Sequence, residues 1–252
     1  MWLLSRVSFL VQYNDYLELA QYRDKLREIL LASSLAKELG VIAINFNVPI
    51  LIPGPAPIVE LQILFGNNDD NSLPKAILEI DRKMFSFHVL PNSKVRLSEL
   101  SELFFKLLSN FTELWNNFNE VAKRKLIERL GFVASFEEQE SKLEELKKKF
   151  LKSSIHKYFE LRFSEFKSPE EINVKDVIEN TFFVPNLFIT PAMVFDPKEH
   201  KIPQLKGVNL ISDIACQPTS EGITAPENVP TAMERFVKIS ENQLKKFEEA
   251  IS

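Results

Sequence analysis

SELSELFFKLLSNFTELWNNF (98–118) decides the fold class of this chain. Leu100, Leu103, Phe104, Leu107, Leu108, Phe111, Leu114, Trp115 and Phe118 recur at helical spacing. They keep one face apolar for about six turns. Glu99 and Glu102 suit the positive end of a helix that begins at Ser98. A helix this long and one-sided must lie across a sheet or another subunit.

The flanks supply the sheet. Upstream, IVELQILF (58–65) reads as a strand with an apolar face at Ile58, Leu61, Ile63 and Phe65 and with Glu60 turned away. KAILEID (75–81) and MFSFHVL (84–90) form a hairpin across Arg82 and Lys83. Downstream, RKLIERLGFVASFE (124–137) fits a helix running to Leu130 with Gly131 as its cap, or a strand. Its alternation favours a strand from about Lys125.

Further out, residues 3–12 predict a strand in which Leu4, Arg6, Ser8 and Leu10 alternate with Val7, Phe9 and Val11. One helix is expected over 16–39, with Leu19, Tyr22, Leu26, Ile29, Leu30 and Leu35 as its stripe and Gly40 as its left-handed end. VIAINFNV (41–48) is a strand. PILIPGPAP (49–57) is a stiff connection, because four prolines and a glycine suit neither a helix nor a central strand. It divides a strand–helix–strand segment, 1–48, from an α+β body, 49–252, unless the two form one continuous domain. GNNDDNS (66–72) is a loop by composition.

In the second half, ESKLEELKKKFLK (140–152) predicts a helix with Leu143, Leu146 and Phe150 inward. HKYFELRFSEF (156–166) predicts a strand and Val174–Phe183 a short helix. LFITPAMVFD (187–196), interrupted by Pro191, suits an edge or bulged strand. A loop (197–206), a strand GVNLISDIAC (207–216) and a long polar loop (217–230) follow. Thr231 and Glu234 then make a capping box for a last helix whose inner face is Met233, Phe236, Val237, Leu244, Phe247 and Ile251. The class is α+β, an antiparallel meander packed by long amphipathic helices. The strand–strand–helix theme occurs twice, which suggests a loose internal duplication.

Composition narrows the function classes. Among 252 residues there are 21 phenylalanines but only six glycines, so core material is plentiful and phosphate-cradling loops are absent. The net charge of −4 argues against a surface generally coated by nucleic acid. Cys216 is the single cysteine, which fits a cytoplasmic address and makes neither a disulfide nor a cysteine zinc cluster. The opening MWLLSRVSFLV is interrupted by Arg6 and lacks a cleavage site, so it reads as a buried strand. No stretch reaches the roughly 18 apolar residues of a membrane span.

Few residues suggest chemistry. His88 reads as a structural or rim histidine, and His156 as solvent-facing. Asp196, Glu199 and His200 have the donor types for a divalent metal but lack a second histidine at ligand spacing. Asp69 and Asp70 suit a solvated hairpin tip better than a cation site, and Cys216 suits a small buried hydrophobe better than a nucleophile. Glu60 and Asp213 are outward by alternation, or else paired with a cation such as Arg129 for Glu60. Lys123–Arg124–Lys125 and Lys147–Lys148–Lys149 are flanked by acids and read as solvated helix faces with i,i+4 pairs. Phosphate contact would require both runs to share a surface with Arg129 and Lys152. No catalytic, cofactor-binding or metal residue is therefore assigned.

The stretches APIVELQILF (56–65), ILEIDRKMFSFHVLPN (77–92), the helix from Ser98 and RKLIERLGFVASF (124–136) together resemble a sporadically distributed family of uncharacterised bacterial proteins. The counterparts are Pro57 and Glu60, the long helix, and Arg129, Leu130 and Gly131. GVNLISDIAC and the terminal helix with Phe247 are similar to that family's last strand and helix. The layout is also similar to the antiparallel sheet and long helix of SecB-like chaperones. The resemblance implies no catalytic residues. The lack of a recognisable catalytic set, the few glycines and the long apolar helix faces favour a non-enzymatic binding, assembly or regulatory protein acting as a homo-oligomer or with a protein partner, and the resemblance implies an association with mobile-element or antiviral defence loci. A SecB-like chaperone and a metal-dependent hydrolase or nuclease are the alternatives; nucleic acid is not favoured as a partner and no membrane is expected.

Overall fold

The computed structural model describes residues 1–13, 17–49, 58–66, 74–124, 126–150, 161–164, 183–194, 204–216 and 224–251. The stiff connection 50–57, the loop tip 67–73 and most of the loops at 195–203 and 217–223 lie outside the described residues, as does the helix expected over 174–182.

The first strand, β1 (Trp2–Tyr13), buries Trp2 and Leu4, then Val7, Phe9, Val11 and Tyr13 on the same side. Strict alternation would turn Leu4 away with Arg6, as the sequence reading had it. The register against its neighbour shifts between Leu4 and Arg6, and the extra residue resets the parity so that Leu4 stays in the core. After β1 comes a correction to the expected single helix. A 3-10 turn (Leu19–Gln21) leads to α1 (Arg23–Leu31) and α2 (Ser34–Leu39). The break falls at Ser33, which is extended and whose Oγ accepts from Ala36 N at 3.3 Å, while Glu113 Oε1 accepts from Ser34 N at 2.8 Å. A serine that satisfies the first amides of a new helix ends the old one. Leu19, Leu26, Leu30 and Leu35 are buried as expected, and Gly40 has φ 78 with its N–H on Ala36 O.

Strands β2 (Val41–Pro49), β3 (Ile58–Phe65), β4 (Ala76–Ile80) and β5 (Met84–Val89) follow as a meander. The core set of β3 is Val59, Leu61, Ile63 and Phe65, so Val59 belongs to it. The β4–β5 turn is held by Asp81, whose Oδ1 accepts from Lys83 N and Met84 N, both at 2.7 Å. A three-residue β6 (Ser93–Val95), too short to show a pattern, pairs with the start of β1.

The long helix does not begin at Ser98. Leu97–Glu99 is a 3-10 turn, and α3 runs Ser101–Ala122. Amides of Leu97 and Ser98 donate to the Glu248 carboxylate of the last helix at 3.2 and 2.9 Å. That distant cap holds the tighter first turn. Strand β7 (Ile127–Gln139) then confirms the strand reading of this stretch. Its register against β1 shifts opposite Gln12 and Tyr13, which places Ile127 with Leu130, Phe132, Ala134 and Phe136 on the core side.

The second half comprises α4 (Glu140–Phe150), β8 (Leu161–Ser164), β9 (Phe183–Val194), β10 (Gln204–Cys216) and α5 (Val229–Ile251). Three corrections apply. Strand β9 begins at Phe183, which was expected in a helix, and is paired on both sides: β10 runs along its length and β8 pairs with Asn186–Ile189. Pro185 and Pro191 flank that doubly paired stretch, so neither ring removes a donor inside it. The bulge is on β10, at Leu205 to Gly207, in residues expected to be loop. Finally, α5 starts at Val229, two residues ahead of the expected cap Thr231, after a 3-10 turn (Pro226–Asn228) whose Pro226 carbonyl accepts from Trp115 Nε1 at 2.9 Å.

Among the described residues the strands form one ten-stranded antiparallel sheet in the order β2-β3-β4-β5-β1-β7-β10-β9-β8, with β6 beside β1. With the three-residue β6 set aside, each half places its first strand at the β1–β7 seam, then its last, then its next to last. Each half inserts helices after its first strand and ends in a long helix. Buried residues of all five helices join one cluster on one sheet face. Its centre is aromatic: Phe9 lies 4.8 Å from Phe111 and 5.2 Å from Phe132, and Phe85 lies 5.4 Å from Trp115, between ring centroids. No helix among the described residues is long and apolar enough to cross a membrane.

Candidate partner-binding face

The opposite sheet face carries the side chains that alternate away from that core. Across the first half it is organised by one chain of polar contacts spanning five strands. Asn45 Nδ2 donates to Gln62 Oε1 at 3.0 Å, and Gln62 Nε2 donates to Glu79 Oε1 at 2.8 Å. Glu79 Oε2 lies 3.6 Å from His88 Nε2. His88 Nδ1 lies 2.8 Å from Ser8 Oγ and 2.9 Å from Arg6 Nη2, and Arg6 Nε donates to Ser8 Oγ at 3.0 Å. A guanidinium only donates. Nδ1 therefore accepts, and the ring proton sits on Nε2, facing Glu79. The His88 hydrogen bond holds the Glu79 carboxyl below its usual range; burial works against this, and Gln62 and Arg6 support it.

Ser8, His88 and Glu79 are a hydroxyl, an imidazole and a carboxylate in line, the components of a nucleophilic relay. Ser8 is only 4% exposed and His88 7%, and the Ser8 oxygen already accepts from Arg6. The arrangement therefore serves as a satisfied polar network rather than a presented nucleophile.

Across the seam the face changes character. Leu10 and Gln12 of β1, Met84 of β5, Arg129 and Gly131 of β7, and Asp213 and Ala215 of β10 line a trough of about 200 Å³. Gly131 and Ala215 pair in register, and Gly131 also pairs with Leu10. Two such small residues in a row leave the Leu10 side chain uncovered. Burial pushes the Asp213 carboxyl up, against the pull of Arg129 and Arg162. Arg162 donates to Asn186 Oδ1 at 3.3–3.4 Å and stands 4.9 Å from the Phe188 ring centroid. Leu10, Ile77, Val133, Phe188 and Ile211 are half-buried among these polar groups.

The residues singled out from sequence are dispersed. Glu60 is paired with Arg82 at 2.6 Å, not with Arg129, because Arg82 lies in the adjoining hairpin turn while Arg129 is four strands away. Asp213 and Arg129 do come together at the trough. Of the residues carrying the family resemblance, Leu130 is in the core, and Arg129 and Gly131 line the trough. Cys216 is buried: its Sγ accepts from Leu130 N at 2.9 Å and donates to Leu130 O at 3.3 Å. Burial pushes the thiol up to about 11, so it stays protonated at neutral pH.

The Lys147–Lys149 run is not wholly solvated, since Lys147 is buried with its ammonium 2.6 Å from Glu144. Two pairs on this helix, Lys147–Glu144 and Lys142–Glu145, have i,i+3 spacing. Lys123 and Arg124 precede the 13-residue β7, and the second run follows it, inside α4. Lys125 and Lys152 lie outside the described residues, as do His156, Asp196, Glu199, His200, Asp69 and Asp70. Among the described residues no three His, Cys, Asp or Glu side chains cluster as metal ligands would.

Sequence reasoning missed Arg6, Ser8, Gln62 and Asn45 as members of one network. The signal was present in the alternation, which placed polar Arg6 and Ser8 in an otherwise apolar strand. The pairing of β1 with β5, which sets Ser8 beside His88 80 residues on in the chain, was not. No protein-family model and no curated protein matches this chain.

Proposed function

We propose that this protein is a non-enzymatic binding or assembly subunit that engages a protein partner through the sheet face opposite its helices. The trough at the seam carries this reading. An antiparallel sheet with one face in water normally alternates apolar-in and polar-out. Here the outer face keeps aliphatic Leu10, Val133 and Ile211 beside Arg129 and Asp213, the mixture of apolar surface and oriented charge that interfaces use. The resemblance to sporadic bacterial families adds the setting: a regulatory or assembly role in a cytoplasmic mobile-element or antiviral defence system. A homo-oligomer joined through this face is the same reading with a second copy as partner.

The test is a pull-down with the tagged chain at low salt, with light scattering for mass, repeated with Arg129→Glu and Gly131→Trp. A partner or second copy held at fixed stoichiometry by the native chain and lost by both variants is expected. Retention by both folded variants removes the face from the function. A SecB-like holder of unfolded chains has less support. Its large exposed hydrophobics among the described residues are Met1, Phe105 and Phe163, on separate elements rather than in one groove. The reading as a metal-dependent hydrolase rests on Asp196, Glu199 and His200 alone; metal content before and after their replacement by alanine tests it.

A further inference from the structure

A second concavity lies on the helix side, between α2, α3 and the end of β5. Its volume is about 540 Å³, within the roughly 300–1,000 Å³ of small-molecule sites. Leu39 of α2, Leu103 and Leu107 of α3, and Val89 and Leu90 after the β4–β5 hairpin give it apolar walls. Leu107 is buried, and the other four are half-buried against the core, which leaves their outer surfaces to the cleft.

Its charged members are Glu38, Lys75 and Lys106. Lys106 Nζ lies 2.5 Å from Glu38 Oε1, so these two neutralise each other. Lys75 is exposed and makes no ion pair among the described residues. Among the described residues the cleft is thus an apolar chamber whose two ammonium groups and one carboxylate leave a net positive charge at Lys75. No arginine lines it among the described residues, so the described lining lacks the planar fork that suits a phosphate dianion. A point charge on a flexible stem suits a monoanion.

We propose that this cleft binds an amphipathic monocarboxylate, a fatty acid whose alkyl chain lies between α2 and α3 and whose carboxylate pairs with Lys75. The ammonium is solvent-exposed, so the pairing sets selectivity for charge more than total affinity. The alkyl contacts supply most of the binding.

The experiment is calorimetric titration of the full-length chain with dodecanoate below its micellar concentration, alongside dodecyltrimethylammonium, which has the same tail and the opposite charge. Dodecanoate should bind once per chain and the cation at least tenfold more weakly. Lys75→Glu should weaken dodecanoate about tenfold or more, and Lys75→Arg should retain it. Leu103→Trp, which fills the chamber, should abolish binding of dodecanoate while the circular dichroism spectrum is kept. Absence of saturable binding overturns the proposal. So does equal binding of the cationic amphiphile, or unchanged affinity in Lys75→Glu.

Discussion

Arg6 and His88 face each other across the β1–β5 pair, with Nη2 of the arginine 2.9 Å from Nδ1 of the imidazole. The contact makes His88 an acceptor on that side and directs its proton to Glu79 on the other. A buried histidine surrounded in this way is the middle of a polar chain. Its removal takes away the ring nitrogen that lies 2.8 Å from the Ser8 hydroxyl and the one that faces Glu79 Oε2, leaving Glu79 with Gln62 as its remaining side-chain donor in the network.

His88→Ala should therefore cost about 1–3 kcal/mol, the range for buried polar groups left unsatisfied. Urea unfolding of His88→Ala, Glu79→Gln and the double variant checks it. The double variant should be less destabilised than the sum, because both changes break the same contact. Simple additivity would show that the two residues act independently.

Glu79 also makes a pH prediction. Its folded carboxyl titrates below the ordinary 4.5, so the unfolded chain binds protons more readily in that window. Its stabilising contribution is complete above about pH 4.5 and is lost as pH falls through the folded value. Asp81 runs the other way: burial raises its carboxyl, so its contribution is largest in acid and falls as pH rises. Glu79→Gln should flatten the acid limb of stability below about pH 4.5. Asp81→Asn should steepen it.

Cys216 should resist thiol reagents at about pH 8 while the chain is folded and react at once in denaturant, because the thiolate is the reactive form. Cys216→Ala leaves the buried Leu130 amide without its acceptor and should cost about 1–3 kcal/mol. Cys216→Ser keeps an acceptor there and should cost less. With the folded thiol near 11 against the ordinary 9.0, stability should also decline as pH rises through that interval.

Two glycines should differ sharply. A Cβ on Gly207 would stand 2.1 Å from the Glu138 carbonyl oxygen, a backbone atom that cannot move aside. On Gly131 the nearest atoms are 3.6 Å away, at Leu10. Gly207→Ala should cost about 1–3 kcal/mol or more. Gly131→Ala should leave thermal stability nearly unchanged, which makes position 131 suitable for testing the trough.

The phenylalanines divide in the same way. Phe9 is fully buried between Phe111 and Phe132, and Phe9→Ala should cost about 3–5 kcal/mol in chemical unfolding. Phe105 on α3 is 72% exposed, and Phe105→Ser should change stability by no more than about 0.5 kcal/mol.

The sequence by itself determined the α+β class, the hairpin at Arg82 and Lys83, the inner face of α3 and the burial of Cys216. Each of these is a local pattern, an apolar period or a turn composition that one element imposes on itself. Tertiary structure decided what depends on distant partners. The cap of the long helix is Glu248, some 150 residues away, and the break at Ser33 is secured by Glu113. Leu4 joins Val7 in the core only because a bulge forms against β7. The trough exists because the first strands of the two halves pair with each other, bringing Leu10 against Gly131 and Asp213 near Arg129. Alternation places a side chain on one side of a strand, but strand order and register choose its neighbours, and those are set by contacts that no local window of sequence contains.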